Sequence, residues 1–260
     1  MNPNQRVVIL TGASAGIGAA TARLFAAAGA QLVLAARRPE PLAALAADLP
    51  GALAVSTDVA DPAACQALVA AAIAHFGRVD ILINNAGVGL SGPVALLDAH
   101  DLARTLAVDL LGPLQLMQAV VPYMRAQGDG QIINVSTVLA LQPLPYLGGY
   151  AGAKAALERM SEALRMELYD SGIAVSLVRP GTTRTNFSAN RLGTGHERRR
   201  MQPRAVPAET VARVILRVAH REPRLAYVTL GDRLRMLAAQ LVPGLVERLL
   251  ARAISWEASD

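Results

Sequence analysis

Seven short runs of β-favouring apolar residues recur along the chain, and most are followed by an alanine- and leucine-rich stretch with helical spacing. The runs are RVVILTG (6–12), QLVLAAR (31–37), ALAVSTDV (52–59), VDILINNAG (79–87), GQIINVST (130–137), IAVSLVRPG (173–181) and LAYVTLG (225–231). Several are apolar throughout rather than alternating, as in strands covered on both faces. Helices are predicted near 16–28, 39–48, 61–76, 99–126, 151–170 and 208–221. Strand–helix–strand order repeated this way predicts an α/β fold: a doubly wound parallel β-sheet of about seven strands, with helices on both faces. No repeat or low-complexity linker divides 1–260, so a single domain is expected.

Three stretches break the rhythm: 140–149, 182–207 and 232–260. Open parallel sheets bind ligands beyond the carboxyl ends of their strands, so two of these stretches are natural walls for a pocket. The segment LALQPLPYLGG (139–149) is apolar and proline-interrupted, which suits a partly hydrophobic small molecule; Tyr146 there is either a stacking or a packed surface aromatic. Residues 182–207 read as a lid, with Gly193, Gly195 and the run Arg198-Arg199-Arg200. Residues 234–255 are apolar with interspersed arginines. Packing on the chain's own domain or a partner subunit is the first expectation there, with peripheral membrane contact a lesser one.

Composition narrows the picture. Of 260 residues 53% are hydrophobic and only 3% aromatic, so the core is built from Ala, Val, Leu and Ile. Cys65 is the only cysteine, which excludes an intrachain disulfide and fits a reducing, cytoplasmic setting. No signal-type leader and no uninterrupted apolar run of the ~20 residues that span a bilayer are apparent. The four histidines are scattered, so no metal site is expected. A net charge of +5 raises nucleic acid as a partner, but no aromatics interleave the late arginines to stack bases, and none is expected. Of the 25 basic side chains all but one are arginine; the single lysine is Lys154. A chain so biased keeps its one compact ammonium where a guanidinium would not serve.

The first predicted strand ends in Thr11-Gly12-Ala13-Ser14-Ala15-Gly16-Ile17-Gly18 and a helix starts at once. Glycines there permit a tight turn and let backbone N–H groups and the helix N-terminus approach a pyrophosphate, as in a Rossmann-type fold. The second strand ends Ala35-Ala36-Arg37-Arg38, with no carboxylate for a ribose 2′-hydroxyl. Arg37 and Arg38, helped by Ser14, suit a 2′-phosphate instead, so NADP(H) is favoured over NAD(H); a solvated arginine pair opening a helix is the plainer alternative. Asp58-Val59 closes the third strand, with Asp58 either accepting from adenine or capping the next helix. Asn84-Asn85-Ala86-Gly87 closes the fourth with small residues that let a cofactor pass and amides that can bond backbone.

Tyr150 and Lys154 stand four apart on a predicted helix and share one face. A tyrosine with pKa ~10 works at neutral pH only beside a cation that favours its phenolate. With TGASAGIG, NNAG, YAGAK and PGTTRT in this order, the chain from about Val7 to Thr185 resembles the short-chain dehydrogenase/reductase family. The resemblance implies an NADP-dependent enzyme acting on a carbonyl or alcohol, of the class that uses NADP as acceptor for CH–OH groups, and commonly a homodimer or homotetramer. It implies Tyr150 as acid–base, Lys154 lowering its pKa while binding ribose, and Pro180, Gly181, Thr183 and Thr185 bordering the nicotinamide. Two positions depart from the family pattern. The serine register, thirteen before the tyrosine, falls on Thr137, with Ser136 adjacent; strand alternation points only one of them at the site, and Thr137 is favoured. Asp109 stands where asparagine is usual, in the role of a proton-relay carbonyl. Pro113, four residues on, lacks an N–H and frees that carbonyl, or merely kinks the helix. The departures keep a rival reading open: an NADP-binding regulatory or scaffold protein with little turnover.

Overall fold

The computed structural model describes residues 1–193, 195–199 and 204–257. Its strands are β1 (Val7–Thr11), β2 (Gln31–Ala36), β3 (Leu53–Ser56), β4 (Ile81–Asn84), β5 (Gly130–Val135), β6 (Ile173–Arg179), the short β7 (Thr183–Arg184), β8 (His196–Arg199) and β9 (Val206–Pro207), then β10 (Leu225–Tyr227) and β11 (Ile254–Glu257). Seven form one sheet in the order β10-β6-β5-β4-β1-β2-β3, every pair parallel. The doubly wound parallel sheet predicted from the apolar runs is therefore present. β1, β4 and β5 are buried at every position, which is why they read as apolar on both faces rather than alternating; the buried polar side chains among them are bonded, Asn84 to Asn134 and Gln131 to Val218 O.

Alternate strand residues feed two cores. Val7, Ile9, Leu82 and Ile132 pack against Leu68, Leu116, Val120 and Leu157 on one face. Val8, Leu10, Ile81 and Ile133 pack against Phe25, Leu42, Val211 and Ile215 on the other. The helices are α1 (Gly16–Ala27), α2 (Pro39–Ala47), α3 (Pro62–Phe76), α4 (Ala99–Leu106), α5 (Gly112–Gln127), α6 (Gly148–Glu167), α7 (Ala208–Arg221), α8 (Leu230–Leu241) and α9 (Pro243–Ala253). Local chemistry sets their ends: Asp61 accepts from Ala63 N–H at 2.9 Å to start α3, and Asp98 accepts from His100 and Asp101 N–H groups to start α4.

Three helical expectations are revised. The helix predicted over 99–126 is continuous to Gln127, but a π-turn over Ala107–Leu111 separates α4 from α5, with Gly112 N–H bonding Ala107 O. The helix predicted from 151 begins at Gly148, so Tyr150 lies in its first turn. Residues 232–257 form two helices and a strand, because Thr229 caps α8 by accepting from Asp232 N–H at 3.0 Å. Part of the basic run in the lid falls outside the described residues, namely Arg200 and the side chains of Arg198 and Arg199.

Candidate active site

The carboxyl ends of the strands open on one cleft of about 1330 Å³, walled on its far side by residues of α8 and α9. At one end lies the glycine turn. Gly12 has φ +66°, and a Cβ there would come within 2.8 Å of Ala86 Cα. The turn is tied to the end of β4: Asn85 Nδ2 donates to Thr11 O at 2.9 Å, and Thr11 Oγ1 accepts from the Asn85 and Ala86 N–H groups. Asn84 instead donates to Asn134 Oδ1 at 2.8 Å, so of the two expected backbone-bonding amides only Asn85 has that role. No side chain caps α1, which leaves its leading N–H groups free to meet an anion. A Cβ on Gly16 would meet Thr185 Cγ2 at 3.0 Å, which brings the glycine turn and the PGTTRT segment together.

Arg37, Arg38 and Ser14 line the same end, and Arg38 Nη2 reaches Ser14 Oγ at 3.5 Å. Asp58 lines it too, but Asp61 rather than Asp58 caps α3. Burial works against the Asp58 charge; bonds from Arg104 (2.7 Å) and Ala60 N–H outweigh it and hold the carboxyl below its ordinary value. Ala15, Ile17, Gly18, Val59 and Gly87 complete this wall.

At the other end stands Tyr150, half-buried, its ring 5.6 Å from that of Phe187. Burial raises its pKa well above the ordinary value and the charge of Asp109 raises it further, while a hydrogen bond with Thr137 pulls it down. Lys154 lies one turn further along α6 and is buried. Its Nζ donates to Val135 O at 3.3 Å and lies 3.8 Å from Asp109 Oδ1. Thr137 also accepts from Leu139 N–H at 3.3 Å. Strand alternation predicts that only one of Ser136 and Thr137 reaches the site. Because β5 ends at Val135, neither is bound by that alternation, and both line the cleft. Thr137 engages Tyr150, whereas Ser136 Oγ is buried without a hydrogen-bond partner.

Asp109 is fully buried on the π-turn, neither on a regular helix nor facing solvent. Its Oδ1 accepts from Val88 N–H at 2.9 Å and its Oδ2 has no partner. Burial pushes its carboxyl up to about 6, with Lys154 and the Val88 N–H drawing it back. The side chain itself thus joins the site, beyond the carbonyl role inferred from sequence.

Pro180, Gly181, Thr183 and Thr185 line the cleft between the two ends, and Asp232 packs behind Gly181, where a Cβ would fall 2.5 Å from its Oδ1. Asp232, Arg235, Met236, Ala239, Val246 and Leu250 are wall residues that the sequence reading missed. The Thr229-x-x-Asp232 spacing resembles a capping box and could have signalled the helix that carries them. Asp98, His100 and Asp101 also converge to within 4.8 Å, a group not singled out from sequence; Asp98 is occupied as the α4 cap and Asp101 accepts from Gly193 N–H at 3.1 Å.

The profile of the short chain dehydrogenase family matches residues 6–194. The chain belongs to the short-chain dehydrogenase/reductase family. Dehydrogenase/reductase SDR family member 7B of Mus musculus is 33% identical over 192 residues, which cover 71% of this chain and 59% of that protein. The chain thus spans less than two thirds of the length of that relative. The 3-ketodihydrosphingosine reductase of Bacteroides thetaiotaomicron is 33% identical over 186 residues, 72% of this chain and 67% of that one. A short-chain dehydrogenase/reductase from Burkholderia phymatum in complex with NAD superposes with a TM-score of 0.85 at 25% identity, covering 100% of this chain and 98% of that one. The cleft is therefore that of a short-chain dehydrogenase/reductase family member, and its glycine turn is a cradle that a Cβ would fill.

Proposed function

We propose that this short-chain dehydrogenase/reductase reduces a ketone or aldehyde with an apolar portion, using NADPH, with Tyr150 as the proton donor. The observation that carries this reading is that Tyr150, Thr137 and Lys154 line one end of a cleft whose other end holds Arg37, Arg38 and Ser14. The glycine turn and the uncapped start of α1 would hold the pyrophosphate, and the arginine pair the 2′-phosphate. Pro180, Gly181, Thr183 and Thr185 would border the nicotinamide, and Lys154 the neighbouring ribose. When bound there, the cofactor would supply the hydride that the carbonyl carbon takes up.

The chain's own residues do the rest. Thr137 donates a hydrogen bond to the substrate oxygen and orients it toward Tyr150. The raised pKa keeps Tyr150 protonated at neutral pH, the form a proton donor needs, and its proton completes the alcohol. Lys154 then lies near the phenolate left behind, and Asp109 balances the lysine charge. Leu139, Leu144, Leu147 and Met236 exclude water and match an apolar substituent.

The test follows NADPH and NADH absorbance over a panel of carbonyl compounds, with wild type and Tyr150→Phe. Faster oxidation of NADPH by wild type and a loss of at least about 10²-fold in the variant are expected. NADPH binding without turnover of any compound would favour the regulatory or scaffold reading, and turnover that survives in the variant would remove Tyr150 from the chemistry.

A further inference from the structure

Helix α8 carries apolar side chains on two opposite sides. Met236 and Ala239 are buried inward, beside the buried and bonded Asp232. Leu230, Leu234, Leu237 and Leu241 recur at spacings of four, three and four on the other side, with exposures that reach 69% at Leu230 and 80% at Leu241. On α9, Leu245 and Leu249 are 57% and 58% exposed, while Val246 and Leu250 turn toward the cleft. A row of large aliphatic side chains this long on one surface marks an interaction site rather than the scattered apolar residues of an ordinary surface.

The charges beside the row identify its partner. Arg233, Arg248 and Arg252 are exposed and have no acidic partner among the described residues. Glu247 is the only exposed acid on the two helices, since Asp232 is buried and bonded to Thr229 and Arg235. A second copy docked through the same face would bring a second set of these arginines into one interface, with Glu247 the only exposed acid on each copy's two helices to offset them. An anionic bilayer takes both features at once: leucines enter the acyl boundary and arginines reach the headgroups. The same two helices also form the apolar wall of the cleft, so docking would set that wall beside the lipid.

We propose that the α8–α9 face docks on an anionic lipid bilayer. The docking does not depend on the reductase reading; delivery of a lipid-dissolved carbonyl compound to the cleft does.

The full chain is floated with vesicles of phosphatidylcholine alone and of phosphatidylcholine with phosphatidylglycerol. Two variants are compared, L241D with L245D, and R248E with R252E; none of the four positions lines the cleft. Capture by the anionic vesicles, reduced about tenfold or more in each variant, is expected. NADPH oxidation with a short soluble ketone should stay unchanged, which separates failed docking from failed catalysis. The charge-reversal pair leaves the helices' apolar faces intact and keeps the test valid even where the aspartates prevent folding. Wild type that stays free of both vesicle types, or binds both equally, overturns the proposal. So does a lower oligomeric state in either variant than in wild type without lipid, which would assign the face to a second copy.

Discussion

The two carboxyl oxygens of Asp109 have opposite circumstances, one bonded to Val88 N–H and the other buried without a partner. Its pKa of about 6 in the folded chain lies above the ordinary carboxylate value of ~4, so between those limits the folded chain holds a proton that the unfolded chain releases. The resulting stability is complete below pH ~4 and is lost as pH rises through about 6. Asp109→Asn removes this titration. Melting curves of the two proteins should diverge in the variant's favour from pH 4 to 7, by on the order of 2–3 kcal/mol; parallel curves would show a carboxyl that titrates normally. Because the Asp109 charge raises the Tyr150 pKa, the variant should also oxidise alcohol with a pH profile displaced to lower pH. That Tyr150, Lys154, Thr137 and the arginine pair line one cleft was legible because motif order and spacing carry them. The Asp109 side chain was not, because its partner Val88 lies 21 residues away, a contact that no local pattern encodes.

At the level of elements, the strands were the most legible. Full burial makes β1, β4 and β5 read as mainly apolar rather than alternating, and the glycine turn comes directly after β1. Its packing can be tested at Gly18, where a Cβ would overlap Gly12 O at 2.0 Å. Gly18→Ala should therefore spread the turn, weaken NADPH binding, and cost roughly 1–3 kcal/mol of stability. Gly152, exposed on α6 with nothing within 4 Å of its would-be Cβ, provides the contrast. Gly152→Ala should stabilise by up to about 1 kcal/mol with nucleotide affinity unchanged. Calorimetric melting and nucleotide titration of the two variants read out both effects; equal behaviour would show that α1 does not need close approach to the turn. The π-turn and the helices α8 and α9 escaped sequence reading for different reasons. A π-turn has no residue signature beyond the nearby Pro113, and the outward leucines of α8 mask the inward period by which a surface helix is recognised.

Across the whole molecule, the family profile ends at residue 194, yet the roof of the cleft is built from α8 and α9, well beyond that point. β11 pairs antiparallel with β8, from Ile254 opposite Arg199 to Glu257 opposite His196, which joins the end of the described chain to the stretch read as a lid. Trp256, the only tryptophan, lies with its ring 5.2 Å from that of Tyr146 in the segment that enters α6. Sequence alone allows Tyr146 to be a stacking or a packed aromatic; the structure gives it a packing partner from the far end of the chain. These contacts hold α9 and the loop before Tyr150 together, but none reaches the glycine turn or Arg37. Trp256→Ala should therefore loosen only the substrate end. An aromatic pair contributes ~0.5–1.5 kcal/mol beyond its buried area, so KM for the carbonyl compound should rise up to about tenfold. The dissociation constant for NADPH, measured by titration, should stay as in wild type. A matching loss of NADPH affinity would mean that the roof and the nucleotide end move as one body, and that the C-terminal helices stabilise the entire cleft rather than shaping its apolar half.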